Sequence, residues 1–265
     1  MNILDKIIET KFREVKVLRK QLGRLSFESD QTPLPRDFLN KSILKDFVGV
    51  IAEVKRRSPG AGSIRPDLDP VKLALDYESS GAVALSILTD RSFFGGSLED
   101  LKKVRQHVKL PILRKDFIID ESQIYESHIS GADAILLIVS VLDDKQLNDY
   151  REMAEELGMT AIVEVHDLLE LERSLKTGAK FLGINNRDLK TFDTSLEPTL
   201  QLLEHVPPEV ALVSESGIHT KQDVSMLGQA GVDAVLVGES LLIQEDPGKG
   251  VRNLSGQEKW SRFVD

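Results

Sequence analysis

The stretch GADAILLIVSVLDDKQLNDYREMAEELGMTAIVEV, residues 131–165, holds one structural repeat and decides the fold. It opens on Gly-Ala, runs through the apolar segment DAILLIVS (133–140), crosses a charged amphipathic stretch, and ends in a second apolar segment, TAIVEV (160–165). Each apolar run has the length and β-branched content of a strand buried on both faces. The stretch between them has room for a helix. Strand, helix and strand in this order make a parallel βαβ unit.

The same alternation continues on either side. Upstream lie VGVIAEVK (48–55), VALSILTD (83–90) and LPILRKDF (110–117); downstream lie KFLGINN (180–186), VALVSES (210–216) and DAVLVGES (233–240). With the strand ends taken at Lys55, Thr89, Lys115, Ser140, Glu164, Asn185, Glu215 and Gly238, successive ends stand 34, 26, 25, 24, 21, 30 and 23 residues apart. Gly81-Ala82, Gly131-Ala132, Gly178-Ala179 and Gly231-Val232 each precede a strand, where a left-handed glycine is expected to end the helix before it. Eight such units predict an α/β chain of the (β/α)8 TIM-barrel type. The alternative, an open doubly wound sheet, usually has fewer strands and a G-x-G-x-x-G loop, and the sequence has no such loop.

The whole chain, 1–265, reads as one domain: an N-terminal helical extension over 1–46, the barrel over 47–245, and a C-terminal helix or tail over 246–265. Within the extension, the first 25 residues predict one amphipathic helix with Leu4, Ile8, Phe12, Val15, Leu18, Leu22 and Leu25 as its apolar stripe. A polar linker over 26–35 and a short helix over 36–44 are expected to follow.

Composition narrows the function. A formal charge of −9 without a basic run argues against broad nucleic-acid binding. The absence of cysteine removes disulfides, thiolate nucleophiles and cysteine-based metal sites, and fits a reducing, cytoplasmic setting. No stretch approaches the ~20 apolar residues of a membrane helix, and the charged N-terminus lacks a signal-peptide core. The histidines at 107, 128, 166, 205 and 219 show no metal-ligand spacing, so no metal is expected and each reads as a surface or core residue.

Charge instead collects where a barrel places its chemistry, at the C-terminal strand ends. Glu53 and Lys55 share one face of the first strand by the two-residue period. Lys115, Glu164, Asn185 with Arg187, and Glu215 mark the ends of the third, fifth, sixth and seventh strands. A structural ion-pair network is the competing reading, but an acid–base site is the better one. The turns S-E-S-G-I (214–218) and V-G-E-S-L-L (237–242) follow the two strands after which such barrels hold phosphate. There Gly217 and Gly238 would admit an anion to the backbone, and Ser216 and Ser240 offer hydroxyls.

Taken together, IAEVKRRSPGAG (51–62), SILTDRSFFGGSLEDL (86–101), LPILRKDFIIDESQIYES (110–127), IVEVHD (162–167), LGINNRDLKTF (182–192), VSESGI (213–218) and VLVGESLL (235–242) resemble indole-3-glycerol-phosphate synthase, the tryptophan-pathway barrel. The resemblance implies a cofactor-free decarboxylating lyase. Its substrate would be 1-(2-carboxyphenylamino)-1-deoxyribulose 5-phosphate, and its products indole-3-glycerol phosphate, CO2 and water. It matches Lys115 to the general acid of ring closure, and Lys55 to a phosphate- and substrate-contacting lysine that acts in dehydration. Glu164 matches a base or electrostatic partner, and Glu53 and Glu215 match further acid–base carboxylates. Asn185 matches the residue that binds substrate hydroxyls, and Arg187 the partner of the anthranilate carboxylate. Ser58, Pro59 and Phe94 match the rim and apolar wall; Ser216, Gly217, Gly238 and Glu239 match the phosphate site. The first loop departs from the familiar S-P-S-K-G in reading Ser58-Pro59-Gly60-Ala61-Gly62, without its lysine. Glu239 stands where some relatives have serine, which leaves only its backbone N–H for phosphate. The expected partner is thus a small phosphorylated molecule, bound by a monomer. Another phosphate-binding barrel enzyme (an isomerase or a Schiff-base aldolase) and a catalytically silent scaffold are the alternatives.

Overall fold

The computed structural model describes residues 3–188 and 193–262. The last four residues of the quoted LGINNRDLKTF stretch, the first two residues of the expected N-terminal helix and the last three of the expected C-terminal tail lie outside the described residues. Eight parallel strands close into a barrel: β1 (Gly49–Val54), β2 (Ala84–Leu88), β3 (Ile112–Lys115), β4 (Ala134–Ile138), β5 (Thr160–Val165), β6 (Phe181–Asn185), β7 (Ala211–Glu215) and β8 (Ala234–Val237). Each lies inside the apolar run that predicts it. Neighbours in sequence pair in order, and β1 pairs with β8 in the register Gly49↔Ala234 to close the ring.

Alternation along each strand sorts the core into two layers. Ile51, Leu113, Leu136, Ile162, Val213 and Leu236 point into the barrel, while Val50, Leu85, Ile87, Ile135, Val163 and Val235 pack outward against the helices. The helices between strands are α4 (Pro70–Ser79), α5 (Leu98–His107), α6 (Glu121–Ile129), α7 (Asp144–Glu156), α8 (Leu168–Lys176), α9 (Glu197–Leu202) and α10 (Lys221–Gln229), followed by α11 (Glu239–Leu242) and α12 (Pro247–Leu254). Asp69, Ser97, Asp120, Asp143, Asp167 and Thr220 accept first-turn amide protons and so fix where α4, α5, α6, α7, α8 and α10 begin. All four glycines expected to be left-handed before a strand have positive φ.

Ahead of the barrel the chain is helical from Ile3 to Asp30, in α1 (Ile3–Leu18) and α2 (Leu22–Asp30) joined by a 3-10 turn at Arg19–Gln21. The expected uninterrupted helix is therefore broken, and helix replaces the first half of the expected linker. The buried face also differs from the expected stripe. It runs Ile7–Lys11–Val15, with Phe12 59% exposed. A lysine occupies that face because its ammonium lies 2.9 Å from Asp90 and 2.9 Å from Asp116, two buried carboxylates on the barrel. The short helix α3 (Phe38–Ser42), capped by Asp37, plugs the barrel floor with Phe38, whose ring lies 6.4 Å from that of Phe181. After α12 the tail passes under β8, where Lys259 and Arg262 meet Asp233 at 2.9 and 2.8 Å. Among the described residues no helix is long and apolar enough to cross a membrane.

Candidate active site

With Phe38 and apolar rings filling the lower barrel, inward-facing charge is confined to the last inward position of several strands. Glu53 follows Ile51 on the inward row of β1, and Lys55 stands just beyond that strand with its Nζ 2.6 Å from Glu53 Oε1. Lys115, at the end of β3, places its Nζ 3.0 Å from Glu164 Oε2 and 2.9 Å from Glu215 Oε2. Asn185 Nδ2 donates to the other Glu164 oxygen at 3.1 Å. One ammonium is thus clasped by carboxylates of β5 and β7 across the mouth.

Two glycines make the room. A Cβ at Gly183 would lie 2.4 Å from Glu215 Oε1, and one at Gly238 would lie 2.3 Å from Glu53 Oε1. Gly238 was expected to bring an anion to the backbone; in the structure it is also the space into which Glu53 fits. No bulkier residue at either position would leave its acid in place.

Electrostatics follow from burial and crowding. Burial alone would lower the Lys115 pKa, but Glu164, Glu215 and Glu53 outweigh it and hold the ammonium well above its ordinary range. Burial pushes the Glu215 carboxyl up to about 7; Lys115 opposes that rise, and Glu164 and Glu53 add to it. Glu164 moves the other way: burial would raise it, but Lys115, His166 and the Asn185 hydrogen bond keep it below the usual carboxylate range. Carboxyls with pKa values pushed apart around one lysine are the pattern of a site that moves protons.

Above this cluster opens a cavity of ≈ 370 Å³ lined by every one of the residues singled out from the sequence: Glu53, Lys55, Ser58, Pro59, Phe94, Lys115, Glu164, Asn185, Arg187, Glu215, Ser216, Gly217, Gly238, Glu239 and Ser240. One side is apolar. Phe94 and Phe117 stand 6.1 Å apart, and Ile3, Leu4 and Ile7 of α1 reach the same cavity. That the N-terminal arm forms part of the wall was not expected from the sequence. Asp90 fixes the Phe94 segment by accepting from the Phe93 and Phe94 amides at 2.6 and 3.2 Å. The first loop is a small hairpin, with Arg57–Ser58 paired antiparallel to Gly62–Ser63 and Ser58 Oγ accepting from the Ala61 amide.

The opposite side carries the two turns. Ser216 is the one non-glycine with positive φ (68°) among the described residues, and Gly217 follows at 74°. Asn186 supports this turn by donating to Ser214 Oγ and to the Ser216 carbonyl. Ser240 departs from expectation: its hydroxyl donates to the Ile218 carbonyl at 2.7 Å, so it ties the two turns together. Arg187 lies 3.5 Å from Glu239 Oε2 and spans the mouth between them. His166, read from the sequence as a surface or core histidine, sits with Nε2 3.5 Å from Glu164 Oε1. The pattern E-x-H-x-x-x-E at 164, 166 and 170 is the signal that could have drawn attention to it. Among the described residues no group of three or more His, Cys, Asp or Glu could hold a metal ion.

A family model described as "Indole-3-glycerol phosphate synthase" matches residues 4–254. The indole-3-glycerol phosphate synthase of Desulfotalea psychrophila is 48% identical over 243 residues, covering 91% of this chain and 94% of its own. That of Chloroherpeton thalassium is 46% identical over 250 residues, covering 92% and 96%. Among solved structures, 3-hexulose-6-phosphate synthase from Salmonella typhimurium superposes with a TM-score of 0.63 at 15% identity, over 78% of this chain and 96% of that one. At that identity the likeness is one of fold.

Proposed function

Because the chain belongs to the indole-3-glycerol phosphate synthase family, it is a decarboxylating carbon–carbon lyase, and we propose the following division of labour among its residues. The substrate, 1-(2-carboxyphenylamino)-1-deoxyribulose 5-phosphate, lies across the mouth. Its phosphate rests on the Ser216-Gly217 and Gly238-Glu239 turns, and its aromatic ring on the wall of Pro59 and Phe94. Arg187 faces the ring carboxylate, for which a guanidinium is well shaped. Asn185 holds the sugar hydroxyls, and Ser58 forms the rim.

Ring closure needs an acid at the ketone oxygen as the carboxylate-bearing ring carbon attacks the carbonyl carbon. Lys115 supplies that proton, and the C–C bond to the carboxylate then breaks to release CO2. Dehydration follows: the new hydroxyl leaves as water while a proton is removed from the adjacent carbon, restoring aromaticity in the pyrrole ring. Lys55, reaching toward both phosphate and chemistry, assists the departing hydroxyl. Glu164 is the base or electrostatic partner, and Glu53 and Glu215 hold the lysines and pass protons among them.

The observation that carries this reading is Lys115 between Glu164 and Glu215 at 3.0 and 2.9 Å on the floor of the cavity. An amine held protonated is present in the form that carries the proton to be donated, and it is poorly suited to Schiff-base formation, which needs its lone pair. The test is turnover: purified protein without added metal should convert the anilino-sugar phosphate to an indole product, followed by fluorescence, and absence of turnover would refute the reading. Treatment with borohydride in the presence of substrate should trap no lysine adduct. The enzyme works as a monomer in the cytoplasm, the arm, barrel and tail forming one folding unit. Light scattering at assay concentration checks the monomer.

A further inference from the structure

Immediately past β5, the His166 backbone amide donates to Glu170 Oε2 at 2.8 Å, and its ring Nδ1 lies 3.0 Å from the same oxygen. An ionised carboxylate only accepts, so Nδ1 must carry a proton. The atom free to gain or lose one is Nε2. It is buried, has no hydrogen-bond partner among the described residues, and stands 3.5 Å from Glu164 Oε1. If the ring were neutral, a bare nitrogen lone pair would face a carboxylate oxygen in a buried site. With the proton present, the same contact becomes a charge-assisted attraction.

We propose that His166, clamped through Nδ1 by Glu170, is a positioning residue for Glu164: its protonated Nε2 faces Glu164 Oε1 and keeps that carboxylate ionised and turned toward Lys115. The groups facing the ring are Glu170 from α8, Glu164 from its own strand and Glu215 from β7, with Lys115 beyond Glu164. Burial would lower the ring's pKa, but these three carboxyls raise it. The imidazolium is therefore present below its raised pKa and lost as pH climbs through that value. The result is an alternating row of Glu170, His166, Glu164, Lys115 and Glu215. Its outer end lies on a helix, away from the cavity lining.

This inference rests on the role given to Glu164 above, so one arm of its test needs no turnover. Nitrogen NMR of the ligand-free wild type should show His166 with Nδ1 protonated throughout and Nε2 titrating. A neutral ring bearing its proton on Nε2, with Nδ1 bare, would overturn the proposal. In the second arm, H166Q removes the titrating nitrogen. Its kcat should fall about tenfold, below the ~10²-fold expected of a direct donor, with KM changed less than about twofold. Glu164 loses a cationic neighbour, so the acidic limb of kcat/KM should move to higher pH by about half a unit or more. E170Q should give a smaller shift of the same sign. A pH profile of folded H166Q that superposes on the wild type, or a loss confined to KM, would sink the idea. Failure of the lyase reading would show separately, as absent turnover in the wild type.

Discussion

Buried carboxylates stand at both ends of the barrel. At the lower end, Asp133 and Asp233 precede β4 and β8 at equivalent places in their repeats. Asp133 accepts from the amides of Arg36 and Ile112 and from Arg105, and Asp233 accepts from the amide of Leu212 and binds Lys259 and Arg262. These groups are saturated by backbone amides, one of them from the extension, and by cations of the tail and a neighbouring helix. At the upper end, Glu164 and Glu215 share one lysine, and Glu215 Oε1 and His166 Nε2 lack hydrogen-bond partners among the described residues. Charges fully met by fixed partners hold parts of a chain together. Charges left partly unmet are held in readiness for a ligand.

The sharpest way to break this contrast is to exchange the effects of the two ends. Asp133→Ala, which strands Arg105 and two amide donors, should lower unfolding free energy by about 3–5 kcal/mol in urea denaturation. Its kcat should stay within about twofold of wild type at a temperature where it is folded. Lys115→Ala should do the converse, losing at least ~10²-fold in kcat. Near-normal turnover by Lys115→Ala, or an inactive but stable Asp133→Ala, would erase the distinction.

Glu215→Gln sharpens it through pH. Glu215 has a pKa raised from 4.5 to about 7 in the folded protein, so the folded state binds its proton more tightly than the unfolded chain does. The associated stability is present below 4.5 and lost as pH rises to about 7. Denaturation curves should show wild type losing stability across that window relative to Glu215→Gln, on the order of 3 kcal/mol. A parallel pair of curves would mean that Glu215 titrates as an ordinary carboxyl. The smallest effect is expected at the rim. Glu239→Gln removes one anionic neighbour of Arg187 and should lower KM about two- to threefold, the scale of a partly exposed ion pair; an unchanged KM would detach Glu239 from binding.

Parts of the molecule also differ in how plainly the sequence announces them. Barrel strands are buried on both faces, so they stand out as unbroken apolar runs, and a Glu or Lys inside such a run is conspicuous. That is why Glu53, Lys115, Glu164 and Glu215 could be singled out before any geometry. Lys11 could not be. A periodic reading assigns charge to the solvent side of a helix, and only the meeting of α1 with Asp90 and Asp116 shows why this ammonium is buried. The hairpin at Arg57–Ser58 and Gly62–Ser63 is too short for any period to register. His166 escaped because its partners, two residues back and one helical turn ahead, look unremarkable until the strand end curls into α8. Ser240 was given to phosphate because a hydroxyl after a glycine suggests it, whereas the Ile218 carbonyl already occupies that hydroxyl.

The seat of Glu53 against Gly238 ties catalysis to the order in which the polypeptide is made. Glu53 lies on the first strand, and the glycine that leaves space for it follows the last, so the pair exists only after the ring is sealed. A nascent chain emerging from the ribosome carries both lysines and two of the three acids long before it can use them. Its final parallel pairing brings together segments nearly a whole barrel apart in sequence, a slow and entropically demanding contact. Activity during refolding should therefore return with the sealing of β1 to β8, after the helices have regained their circular dichroism.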